Sequence, residues 1–131
     1  MRTLPLRLPP GADLRAALQA VLREHAVEAA FVVAGIGSLS VAQLRLAGAQ
    51  TTQTLHGDLE ILTLSGTLGV DSSHLHASVA DATGRVWGGH VAPGCIVRTT
   101  AELLLALLPD WNFTRALDAA TGYVELAVRP R

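Results

Sequence analysis

Only one stretch of this chain repeats with the period of a helix. Behind the breaker Pro9-Pro10-Gly11, residues Leu14, Ala17, Leu18, Val21 and Leu22 fall at i, i+3, i+4, i+7 and i+8, a single apolar stripe. Asp13 stands in front of it as an N-cap, so the spacing predicts one main amphipathic helix over about 13–25. Nearly everything else reads as strand. "RTLPLRL" at 2–8 alternates Leu4, Leu6 and Leu8, and "AAFVVAG" at 29–35 has the apolar run of a buried strand. "SVAQLRLA", "TTQTL", "DLEILTLSGTLG" at 58–69, "CIVRTTAELLLALL" at 95–108 and "GYVELAVR" at 122–129 continue the series between polar and glycine-bearing breaks. One helix and many strands predict an α+β domain with a mostly antiparallel β-sheet. At 131 residues a single domain spanning 1–131 can bury one core.

The strand at 29–35 is expected to close in a glycine turn, Gly35-Ile36-Gly37-Ser38. A dinucleotide-binding fingerprint would need a third glycine at position 40 and a helix after it. Position 40 is Ser and the following residues are strand-like, so the turn is not read as a phosphate cradle.

Charged residues are 16% of the chain, against about 25% in an ordinary globular domain. The surplus of apolar side chains has to be covered, and no apolar run approaches the roughly 20 residues of a membrane helix. The run "LLLALL" at 103–108 is far too short, and "MRTLPLRLPPG" lacks the apolar core of a signal peptide. The expectation is therefore burial between subunits and no membrane partner. All ten basic residues are Arg, scattered, in a chain of net charge −1. A nucleic-acid binder normally gathers basic residues into a stripe, because counterion release supplies most of its non-specific affinity. Cys95 is the only cysteine, so no internal disulfide can form, which fits a reducing, cytoplasmic location.

The segment Ser72 to His90, "SSHLHASVADATGRVWGGH", carries three of the five histidines. Side chains alternate along a strand, so His74 and His76 share a face while Leu75, Ala77 and Val79 turn to the core. Asp81-Ala82-Thr83-Gly84 offers a three-residue loop ending in a left-handed glycine, the type I turn with a G1 bulge. Pairing Asp81 with Arg85 then sets Ala80 against Val86, Ser78 against Gly88 and His76 against His90. A four-residue loop would slip the register by one and send His90 to the other face. In the bulged register Trp87 joins the core side, and Gly88 and Gly89 leave open space beside the histidines. Three neutral imidazoles suit Zn²⁺, Cu²⁺, Ni²⁺ or Fe²⁺, with a fourth position free for water or ligand. Surface or interface histidines are the competing reading of the same spacing.

Several segments together resemble the PPC (plants and prokaryotes conserved) domain family in its prokaryotic single-domain form. They are "LPPGADLRAAL", "AGIGSLSVAQLRL", "HGDLEILTLSGTL", "HLHASVADATGRVWGGHVAPGC", "TTAELLLALL" and "FTRALDAATGYVEL". The ordered combination G-x-x-E-I-L, H-x-H and G-G-H is what carries the resemblance. It implies an α+β fold assembling as a homotrimer, with a divalent transition metal, zinc first among them, held at His74, His76 and His90. Plant members replace these histidines, so the fold does not depend on a metal. They also pair the domain with an AT-hook, whose arginine-glycine-arginine-proline core is missing from the C-terminal "VRPR" here. The DNA-binding label on prokaryotic members rests on that analogy, and the scattered arginines argue against unaided DNA binding.

These observations favour a homotrimeric metal-binding module for a small ligand or a protein partner. One alternative is a DNA-binding or transcription-associated protein. Another is a small metal-dependent hydrolase or lyase, for which Glu60, His56 and Asp71 are the candidate general bases. Cys95, five residues past His90, is left out of the ligand set because a lone cysteine is more often simply buried.

Overall fold

The computed structural model describes residues 1–131. Eight strands and one helix follow in the order β1 (Arg2–Leu8), α1 (Leu14–Glu24), β2 (Ala29–Arg45), β3 (Gln53–Gly69), β4 (Ser72–Ala80), β5 (Val86–Val91), β6 (Ile96–Leu107), β7 (Trp111–Leu117) and β8 (Val124–Pro130). Six strands form one sheet in the order β1-β6-β2-β3-β4-β5, and β7 and β8 form a separate ribbon. All paired strands are antiparallel. The α+β expectation holds in its coarser part: the fold is mostly antiparallel sheet, and α1 is only 11 residues long.

The helix begins as its sequence dictates. Asp13 is extended, and its Oδ1 accepts from the amide of Ala16 at 3.0 Å. Its other oxygen accepts from the amide of Gly94 at 2.8 Å, which ties the helix start to the loop before β6. Leu14, Leu18, Val21 and Leu22 are buried against the sheet. They join a core that includes Leu39, Leu44, Leu59, Leu64, Leu68, Leu75 and Val79. Burying one such aliphatic side chain contributes about 1.5–3 kcal/mol, so this layer, rather than helix propensity, holds so short a helix in place.

The predicted turn at Gly35–Ser38 is not a turn. Strand β2 runs straight through it, paired with β6 at Gly35↔Leu103 and Gly37↔Ala101 and with β3 at Gly37↔Ile61. The glycines serve close approach instead: a Cβ on Gly37 would lie 2.6 Å from the Thr100 carbonyl oxygen. The runs "TTQTL" and "DLEILTLSGTLG", read as separate segments, likewise belong to one strand, since β3 is continuous over 17 residues through His56-Gly57. Register shifts mark β-bulges between Leu39 and Val41, and a bulge lets a long strand bend. The bent end of β2 meets β5 at Leu44↔Val91 and Arg45↔His90. In this way β2, β3, β4 and β5 close on themselves.

One strand went unread in the sequence. "WNFTRAL" forms β7, which pairs with β8 from Trp111↔Pro130 to Leu117↔Val124. The ribbon is pinned to the body through the buried Phe113, whose ring meets Phe31 edge-on at 5.5 Å.

Candidate metal centre

The hairpin β4–β5 decides where the histidines go. The amide of Asp81 donates to the Arg85 carbonyl at 2.9 Å, and the amide of Gly84 donates to the Asp81 carbonyl at 3.0 Å. Gly84 takes φ +83°, the left-handed conformation of a G1 bulge. Asp81 Oδ1 accepts from the amide and hydroxyl of Thr83, at 2.9 and 2.6 Å, and from the amide of Arg85 at 3.1 Å. The hydrogen bond from the Thr83 hydroxyl, chief among these, holds the Asp81 carboxyl below its ordinary pKa. Arg85 in turn lies over the Trp87 ring, 4.3 Å from its centre. A loop tied down in this way fixes the bulged register, with Ala80↔Val86, Ser78↔Gly88 and His76↔His90.

The three imidazoles therefore share one patch. His76 Nε2 is 3.1 Å from His74 Nε2 and 3.2 Å from His90 Nδ1. The three candidate ligand atoms all lie within 4.8 Å of one another. The rings of His74 and His90 are stacked at 5.2 Å, and His76 stands edge-on to both. An imidazole nitrogen has either one hydrogen to donate or one in-plane lone pair to accept with. His76 Nε2 can therefore make only one good hydrogen bond, yet two ring nitrogens face it.

For His74 and His90, burial and the charges beside them favour the neutral imidazole, the form that binds metal. Burial, and then the Arg115 guanidinium, push the His74 pKa below its ordinary value; Glu125 opposes this more weakly. Burial lowers His90 as well, with Arg45 and His76 adding to the effect.

The two glycines of "GGH" divide their work. Gly88 leaves space, the nearest atom to an added Cβ being the Ala77 carbonyl oxygen at 3.7 Å. Gly89 does not, which corrects half of the expectation: a Cβ there would sit 2.7 Å from the Arg45 carbonyl oxygen. That approach seats β5 on β2. Behind the patch, Leu75, Ala77 and Val79 are buried, and Trp87, opposite Val79, packs on the core.

Of the three candidate bases, only Asp71 comes near, lining a cleft together with His74 and His90. Glu60 is exposed and pairs with Ser38 and Ala80, and His56 is exposed opposite Val41; neither lines that cleft. Cys95 is buried, its sulfur 3.2 Å from the amide and 3.4 Å from the carbonyl oxygen of Gln43. Burial raises its thiol pKa, so it is an inert packing group. Sequence reasoning missed Arg15, Arg45 and Arg115, which line the same cleft. No local spacing announces them, because they arrive on three different elements.

A small antiparallel β domain with three imidazoles converging on one hairpin is a candidate metal-binding module. More particularly, the chain belongs to the Plants and Prokaryotes Conserved (PCC) domain family, whose model matches residues 1–109. Two proteins of Synechococcus sp., each named bifunctional protein GlmU, are 49% and 50% identical to it over 99% and 98% of its length. The chain spans about a fifth, 21%, of each of those curated relatives. A hypothetical protein from Salmonella cholerae-suis (Salmonella enterica) superposes with a TM-score of 0.95 at 41% identity, covering 99% of this chain and 94% of that one. A metal-containing protein from Archaeoglobus fulgidus superposes with a TM-score of 0.81 at 28% identity, covering 97% and 94%. No helix is long and apolar enough to cross a membrane.

Proposed function

We propose that this chain is a metal-binding PCC-domain module in which His74, His76 and His90 hold one divalent transition metal, with zinc the ion the donor set suits best. The observation that carries the reading is the convergence of three ring nitrogens, two of them 3.1 and 3.2 Å from the third. Nitrogens sharing a tetrahedral zinc at 2.0–2.1 Å stand about 3.3 Å apart. The third separation is wider, so capture of an ion would draw the outer rings, His74 and His90, together. The metal-containing Archaeoglobus fulgidus relative gives further support. A bound ion would supply a Lewis-acidic centre with one open coordination position.

Assembly as a homotrimer belongs to the same proposal. Val33, Ile36, Leu62 and Leu104 are exposed on the sheet, and apolar surface of this kind marks protein contacts. An enzyme would add a general base; of the three bases read from the sequence Asp71 alone lines the cleft, where Glu125 is the other carboxylate. Elemental analysis of the purified protein tests the metal directly. About one ion per chain is expected, absent from His76→Ala, with anomalous density between the three rings. Metal-free protein that takes up no zinc, nickel or copper on dialysis would refute the assignment.

A further inference from the structure

The β4–β5 register ends at His76↔His90, and beyond that pair the strands part. The gap opens into a cleft of about 610 Å³, entered by His74 from one strand and His90 from the other. That volume falls within the range of small-molecule sites, and it is many times what a bare phosphate or carbonate ion fills.

Three half-buried arginines reach this cleft, and the fold fixes two of them beside the histidines. Arg45 is the cross-strand partner of His90, which places their Cβ atoms about 4.5–5.5 Å apart on one face. Arg115 donates to Thr67 Oγ1 at 3.0 Å, and Thr67 is the cross-strand partner of His74. Arg15 donates through Nε to the Ser73 hydroxyl, next to His74 in the chain. None of the three is in an ion pair, since the structure's two salt bridges are Arg98–Asp58 and Arg131–Glu28. Arg45 has one backbone acceptor, the Ala49 carbonyl at 3.4 Å. A guanidinium carries five N–H donors in a planar fork, so most of this capacity is unspent. Asp71 and Glu125 also line the cleft and offset part of the charge, leaving one positive charge in excess in a chain of net −1. Leu75, Val91, Val124 and the Tyr123 ring complete the wall with apolar surface.

We propose that this cleft seats a small organic molecule ending in an oxyanion, a carboxylate or a phosphate, gripped by Arg45 and Arg115 with its other end towards the histidines. The second half of that statement rests on the metal reading above; the oxyanion seat does not. Planar guanidinium forks match both oxyanions with paired hydrogen bonds. The C-terminal ribbon has a part in selecting the ligand, because Arg115, Tyr123, Val124 and Glu125 all lie beyond residues 1–109 matched by the family model. Relatives that share the histidines but differ in this ribbon would take different molecules.

Calorimetric titration of phenyl phosphate and of benzoate into the full chain tests this, with protein both EDTA-stripped and zinc-loaded. At least one probe binds wild-type protein in both states, with the affinity falling as salt rises, and the tighter probe identifies the oxyanion. Arg45→Gln and Arg115→Gln each weaken it about tenfold or more, as loss of a charge-assisted hydrogen bond does, at unchanged zinc content. Arg115→Lys, which keeps the charge without the fork, recovers part of the loss and stands in should Arg115→Gln fold poorly. Binding that survives in protein unable to take up zinc, and is still lost in the Gln variants, sinks the metal reading and leaves the seat. No binding of either probe at millimolar concentration in either state, or unchanged affinity in both Gln variants, overturns the proposal.

Discussion

Gly88 and Gly89 are adjacent and chemically identical, yet the structure assigns them opposite tolerance to a methyl group. An added Cβ at Gly88 meets nothing nearer than 3.7 Å, an ordinary van der Waals contact. At Gly89 it meets the Arg45 carbonyl oxygen at 2.7 Å and its carbon at 3.2 Å. Both obstructing atoms are backbone, so relief requires β5 and β2 to separate by about half an ångström, an overpacking strain of about 1–3 kcal/mol. Gly89→Ala should therefore lower the thermal midpoint by about 4–12 °C for a chain of this size. Gly88→Ala should be neutral or stabilising by up to about 1 kcal/mol, because alanine narrows the unfolded ensemble. Denaturant melts of both variants, metal-free, give the comparison, and parallel zinc titrations should show weaker binding only in Gly89→Ala, whose shift displaces His90 from His76. Equal losses in the two variants, or the larger loss in Gly88→Ala, would refute the register and the β2–β5 closure on which the site depends.

Three further outcomes are expected. The folded-state pKa values of His74 and His90 are both lowered, by burial first. The unfolded chain thus binds protons first as pH falls below about 6.5, and stability of the metal-free protein is lost from there down through the folded values. Metal-free His74→Gln should show a smaller drop in urea midpoint between pH 7.5 and pH 5.5; an unchanged drop contradicts the assignment. Leu75→Ala, beneath the two histidines at 1% exposure, should cost about 2–5 kcal/mol, read by urea unfolding, and a loss under 1 kcal/mol would mean the β4 inner face is not packed as described. Duplex DNA should show no salt-dependent retention at micromolar protein, since the arginines form no stripe; a linear fall of log affinity with log salt would restore the DNA-binding alternative.

The parts of this molecule legible in the sequence are those fixed by neighbours in the chain. The α1 stripe and its Asp13 cap need only local spacing, and the His76↔His90 pairing follows from the loop glycine at 84 and strand alternation. Parts set at long range were hidden. Gly35 and Gly37 look like turn residues in isolation, but β6 pairs with both and β3 with Gly37, which keeps the chain in the sheet. Strand β7 carries Asn112, Thr114 and Arg115 among its apolar residues and buries only Phe113, so its pattern is too mixed to announce a strand. Arg15, Arg45 and Arg115 are separated by tens of residues, and only β2–β5 closure and the docked ribbon bring them to one cleft.

That division has a consequence for how the site comes into being. The three imidazoles belong to a single hairpin, whose ends are joined by a short loop and meet at little entropic cost. The ligand set can thus assemble early, as a local event. The cleft is different: residue 45 must return to residue 90, and residue 115 must cross to residue 67, contacts of high sequence separation that form late. The three candidate ligands lie within seventeen consecutive residues, His74 to His90, although β5 still needs β2 beside it to hold His90 in place. The arginines of the proposed oxyanion seat come together only in the finished fold.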